Sequence, residues 1–122
     1  MKKKLVLKEN KAFKRAYFRG KFKAHPLLVT YVVKNKLGKM RVGITTSKKV
    51  GNAVTRSRAR RVLRSAYDAQ LAKGFTANGY DIVFVARAAT AAVKSYDAAR
   101  VMKKQLQFLF SDKSSGKEHA AR

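Results

Sequence analysis

Ser47-Lys48-Lys49-Val50-Gly51-Asn52-Ala53-Val54-Thr55-Arg56-Ser57-Arg58-Ala59-Arg60-Arg61-Val62-Leu63-Arg64 decides how the rest of the chain is read. It holds seven basic residues and no acid. Its opening reads as the end of a strand passing through Gly51 into a helix, with Asn52 as the N-cap. At about 100° per residue, Ala59, Val62, Leu63 and Ala66 fall on one helical face. Arg56, Arg60 and Arg64 then form a column at i, i+4, i+8, with Arg58 and Arg61 beside it. One side can pack and the other cannot. Like charges at i, i+4 repel by a few tenths of a kcal/mol per pair. Five arginines in nine residues with no interleaved acid call for an external polyanion.

Outward from this helix, the pattern gives a compact set of elements. It predicts a helix from Glu9 to Arg19, stopped by Gly20 at the C′ position, with Phe13, Ala16 and Tyr17 on one face. Gly20–Ala24 reads as a short edge strand ended by His25-Pro26. Leu27–Val33 is a strong strand signal, rich in β-branched and aromatic residues. Residues 34–39 read as a turn, and Met40–Thr46 as a strand returning antiparallel to its predecessor. The arginine helix is expected from Ala53 to Leu71. Tyr80–Arg87 is apolar almost throughout, as a buried central strand should be. Ser95 is expected to cap a last helix with Asp97 in its first turn. Its apolar arc is Ala98, Val101, Met102, Leu106, Phe108 and Leu109. The sum is a small single-domain α+β fold, a sheet of about four strands packed with three helices. The domain covers residues 1–110, and residues 111–122 read as a polar, disordered tail.

Charge narrows the function. Thirty Lys and Arg stand against six Asp and Glu, a formal net charge of +24 over 122 residues. That excess opposes compaction by self-repulsion and points to a phosphate backbone as partner. No apolar run approaches 18 residues, and no h-region follows Met1-Lys2-Lys3-Lys4, so a soluble, cytoplasmic protein is expected. With no cysteine, thiol catalysis and Cys-ligated metal are excluded. The acids Glu9, Asp68, Asp81, Asp97, Asp112 and Glu118 are scattered, and neither His25 nor His119 has a partner in sequence. No catalytic or metal-ligating constellation is legible. Binding chemistry is plentiful, because a guanidinium matches phosphate oxygens bidentately. Phe13, Tyr17 and Tyr31 are candidates for stacking unpaired bases. Phe13 reads equally well as core.

The arginine stretch resembles the signature of the bacterial ribonuclease P protein subunit, Lys-Lys-x-Gly-Asn-Ala-Val-x-Arg-Asn-Arg-x-Lys/Arg-Arg-x-x-Arg. Lys48, Lys49, Gly51, Asn52, Ala53, Val54, Arg56, Arg58, Arg60, Arg61 and Arg64 match it. Ser57 stands in place of the middle Asn. The likeness runs from about Leu5 to Phe110. Phe13, Tyr17 and Tyr31 match aromatic places of the family's first helix and strand, Tyr17 where a Phe is frequent. The resemblance implies a fold like the second domain of ribosomal protein S5, with a left-handed β-α-β crossover. It implies that a partner RNA performs the hydrolysis. The protein would bind ribonuclease P RNA through Lys48, Lys49, Asn52 and the five arginines. It would hold the 5′ leader of precursor tRNA against Phe13, Tyr17 and Tyr31, and Mg²⁺ would serve the ribonucleoprotein. A small ribosomal structural protein and a protein nuclease are the alternatives.

Overall fold

The structure, a computed structural model, describes residues 6, 7 and 9–111. Its sheet is built around β4 (Tyr80–Ala86), in which Ile82, Val83 and Phe84 are fully buried. A strand apolar on both faces takes the centre of a sheet covered on both sides. The other strands are β1 (Lys21–Ala24), β2 (Leu28–Lys34) and β3 (Arg41–Thr46), in spatial order β1-β2-β4-β3. The helices are α1 (Asn10–Arg19), α2 (Ala53–Ala72) and α3 (Ser95–Leu109). The expected α+β class, strand number and helix number all hold.

The strand order corrects one expectation. β3 does not return antiparallel beside β2. β4 inserts between them, antiparallel to β2 (Leu28 opposite Ala86) and parallel to β3 (Arg41 opposite Asp81). Residues 35–40 are therefore a bridge over the start of β4, and they are clasped to it. Asn35 N–H donates to Gly79 O at 2.7 Å, Gly79 N–H to Lys39 O at 3.2 Å, and Asn35 Nδ2 to Lys39 O at 3.0 Å. β3, α2 and β4 form a parallel β-α-β unit, and α2 is its crossover. Before α1, Val6 bridges Val42 and Leu7 N–H donates to Val42 O at 3.0 Å, which adds an extended lead-in at the β3 edge.

Two cores lie on opposite faces of the sheet. On one, Leu28, Val32, Val42, Ile82 and Phe84 meet Ala59, Leu63, Ala66 and Tyr67 of α2 and Ala98, Met102, Leu106 and Leu109 of α3. The expected stripe of α2 packs as its spacing dictates, with Val62 half-buried at its margin. On α3, Val101 and Phe108 also sit at the margin, and Gln105 is buried in the arc instead. Gln105 accepts from Thr30 Oγ1 at 2.6 Å and donates to Lys23 O and Leu28 O at 3.0 Å. A buried amide so satisfied joins α3 to β1 and β2. On the other face, Ala12 and Ala16 of α1 pack on Leu7, Val33 and Val83.

Helix ends depart from expectation in two places. Gly20 ends α1 with φ −81°, in extended rather than left-handed conformation. Its lack of a side chain serves a close approach: a Cβ there would lie 2.5 Å from Ala16 O and 2.6 Å from Val32 O. Ser95 is the first residue of α3 and not its cap. Lys94 takes the N-cap place with no side-chain cap bond, and Asp97 does sit in the first turn. The tail assigned to residues 111–122 lies, beyond Ser111, outside the described residues, as does Leu5.

Candidate nucleic-acid interface

α2 begins as its sequence predicts, with one addition. A single 3-10 turn, Lys48–Val50, intervenes between β3 and the helix and buries Val50, leaving Lys48 and Lys49 exposed. Gly51 follows at φ +131°, a region that L side chains rarely adopt. Asn52 then caps the helix, its Oδ1 accepting from Thr55 N–H at 2.9 Å. This cap satisfies one of the donors left open at a helix start and fixes where the arginine column begins.

Arg58, Arg61 and Arg64 are exposed, and Arg56 and Arg60 are half-buried beside the apolar stripe. Among the described residues, no carboxylate pairs with any of the five. Ser57 is not idle: its Oγ accepts from Arg60 Nη2 at 3.3 Å. The acids that do pair lie elsewhere. Asp97 holds Arg100 at 3.0 Å. Asp81 is fully buried at the start of β4 and receives Arg41 Nε at 2.9 Å, Arg41 Nη2 at 2.8 Å and Asn35 Nδ2 at 2.8 Å. The bond to Asp81 holds the Arg41 guanidinium above its ordinary pKa. Arg15 of α1 stands 3.9 Å from the same carboxylate and donates to Lys34 O. One buried charge thus ties α1, the 35–40 bridge and β3 together.

The α1 face of the sheet carries a line of four rings. Phe13 and Tyr17 have centroids 6.5 Å apart, Tyr17 and Tyr31 5.0 Å edge to face, and Tyr31 and Phe22 5.5 Å at 29°. Phe13, Tyr17 and Tyr31, the residues singled out from sequence, are brought together and all are half-buried. Phe13 lies over Gly43, where a Cβ would meet its ring at 2.7 Å. It is at once a packing residue and one end of the line. Phe22 was missed. It is buried in β1 opposite Tyr31, and only the strand register puts it in the row. Burial, with Tyr31 second, raises the Tyr17 phenol above its ordinary pKa. Phe18, 80% exposed on α1, lies outside this row and was also passed over.

His25 Nδ1 accepts from Leu27 N–H at 3.0 Å and shapes the turn before β2; His119 lies outside the described residues. Among the described residues, no three His, Asp or Glu side chains come close enough to hold a metal ion. A hard cation such as Mg²⁺ wants about six oxygens in an octahedron, and the described side chains assemble no cluster of three such ligands. No helix among the described residues is long and apolar enough to cross a membrane.

A mixed four-stranded sheet with one helix on one face and two on the other, carrying an arginine-lined crossover helix, defines a small basic α+β domain built to present cations. The chain belongs to the Ribonuclease P family, whose model matches residues 1–109. A ribonuclease P protein component of Clostridioides difficile (strain 630) is 47% identical over 81 residues, covering 66% of this chain and 70% of the relative. That of Clostridium beijerinckii is 39% identical over 104 residues, covering 80% and 82%. The solved structure of the Staphylococcus aureus RNase P protein superposes with a TM-score of 0.72 at 28% identity, over 89% of this chain and all of that one.

Proposed function

We propose that this protein is the protein component of ribonuclease P. It binds the catalytic RNA of that ribonucleoprotein and the 5′ leader of precursor tRNA, and it supports endonucleolytic removal of the leader to give the mature 5′ end in the cytoplasm. The observation that carries the reading is the α2 surface: Lys48, Lys49 and Asn52 at its start, then Arg56, Arg58, Arg60, Arg61 and Arg64 without an acidic partner among the described residues. An arginine face of this kind tracks phosphates in a backbone or a wide RNA groove. The row formed by Phe13, Tyr17 and Tyr31 is the place for the leader, since only unstacked bases can lie on side-chain rings. RNA performs the hydrolysis, and Mg²⁺ serves the ribonucleoprotein as a whole.

Reconstitution tests the reading. The purified, nuclease-free protein should leave precursor tRNA intact. Adding a ribonuclease P RNA at low Mg²⁺ should give one 5′ cut, faster than the RNA alone. Site-specific cleavage by the protein without RNA would overturn it in favour of a protein nuclease. A protein that binds RNA but leaves cleavage of leader-bearing substrate unchanged would be a structural ribosomal-type protein.

A further inference from the structure

A second basic surface lies along the α2–α3 pair, on the sheet face opposite α1 and its ring row. Two adjoining cavities mark it. One of about 310 Å³ opens between the two helices and is lined in part by Lys73, Tyr96, Arg100 and Lys103. The other, of about 630 Å³, lies at the C-terminal ends of both helices and is lined in part by Phe75, Tyr80 and Phe110. Lys73 and Lys103 line both, and neither lining includes a carboxylate.

The groove has rings at its two ends and cations between them. At one end Tyr96 is 63% exposed, with the Arg100 guanidinium 5.3 Å above its ring and steadied by Asp97 at 3.0 Å. At the other, Tyr80 meets Phe110 edge to face at 4.9 Å and Phe75 meets Phe110 at 6.1 Å. Phe110 keeps 36% of its surface exposed. Tyr96 and Phe110 are fourteen residues apart, roughly 21 Å along the helix. Cations flanked by rings in a concave path match a strand whose phosphates run between unstacked bases. A duplex keeps its bases stacked inside, and a flat anionic bilayer cannot enter the concavities.

We propose that the α2–α3 groove binds a single-stranded RNA segment, at a site separate from the arginine face and from the α1 ring row. One base stacks on Tyr96, another seats against Tyr80 and Phe110, and the intervening phosphates meet Lys73, Arg100 and Lys103. The segment belongs either to the partner RNA or to a separate unpaired RNA, and both offer this chemistry.

The test titrates the full ¹⁵N-labelled protein with an unstructured ten-nucleotide oligouridylate. Backbone amides of residues 96–104 should shift, besides any that shift on α1. The variant Tyr96→Ala/Arg100→Gln/Lys103→Gln alters three exposed side chains, so its unfolding midpoint should hold. It should lose the α3 shifts and one binding equivalent. Its salt slope should fall by about 1.4, two cations at roughly 0.7 each for a single strand. Precursor cleavage should persist if the segment is separate RNA, and holoenzyme assembly should weaken if it is the partner RNA. Unmoved α3 amides in the wild type, or unchanged stoichiometry and slope in the folded variant, would overturn the proposal. So would an RNA affinity equal in both proteins while anionic vesicles bind the wild type alone. In the wild-type protein, α3 shifts without α1 shifts would support this groove while counting against the leader site.

Discussion

Tyr17 of α1 meets Tyr31 of β2 edge to face, with ring centroids 5.0 Å apart. The contact crosses the seam between helix and sheet, so the ring row belongs to neither element alone. Phe13 extends it over Gly43 at one end, and Phe22 at the other.

Tyr17→Ala should therefore weaken binding of leader-bearing precursor tRNA by about tenfold or more, since stacking is worth roughly 1–3 kcal/mol per base. Binding of mature tRNA and assembly with the partner RNA should be nearly unchanged. Tyr31→Ala should act in the same direction with a smaller effect, because Tyr31 also packs on Phe22. The ratio of affinities for precursor and mature tRNA in the reconstituted complex is the measurement. A wild-type ratio in folded Tyr17→Ala protein would make the row simple packing.

Arg41→Ala should destabilise the fold by about 3 kcal/mol, because it leaves the buried Asp81 carboxylate without its bidentate partner. Arg41→Lys should rescue this poorly, since an ammonium cannot reproduce the planar two-point contact. Urea unfolding of the three proteins decides it. A loss below about 1 kcal/mol would mean that Asn35 and Arg15 suffice to hold the charge.

Stability should depend on pH through Tyr67, whose phenol burial, with Asp68 second, pushes up to about 12. The folded value lies above the ordinary value near 10, so the folded state holds the proton more tightly. The contribution is complete below about pH 10 and is lost as pH rises through about 12. Unfolding midpoints measured between pH 9 and about 12 should fall, and Tyr67→Phe should flatten that fall. A parallel decline in the two proteins would assign the effect to other groups.

Much of this was legible in the chain because local signals agreed with global ones. The α2 stripe, the Asn52 cap, the turn at Gly51 and the burial of β4 each follow from spacing or backbone chemistry that acts within a few residues. Strand order did not, because the sequence of β3 fits either neighbour. What chooses β4 is the clasp of Asn35 and Lys39 on Gly79, contacts between residues forty or more positions apart. The same limit hid Phe22, whose place depends on pairing with Tyr31, and Gln105, whose polar character argues for exposure until its three partners converge. The candidate site divided in the same way. The arginine column was visible as a helical period, whereas the ring row needed two strands and a helix to be assembled.

The salt dependence of partner-RNA binding tests the central claim most directly. With roughly six to ten phosphate contacts, affinity of the wild-type protein should fall by about 10³–10⁵ between 50 and 200 mM salt. In Arg56→Ala/Arg60→Ala/Arg64→Ala, which spares Ala59, Leu63 and Ala66 in the core, the protein should remain folded. Its slope should drop by about one per lost contact, roughly three in all. An unchanged slope in the folded triple variant would contradict the assignment of α2 as the RNA-binding face.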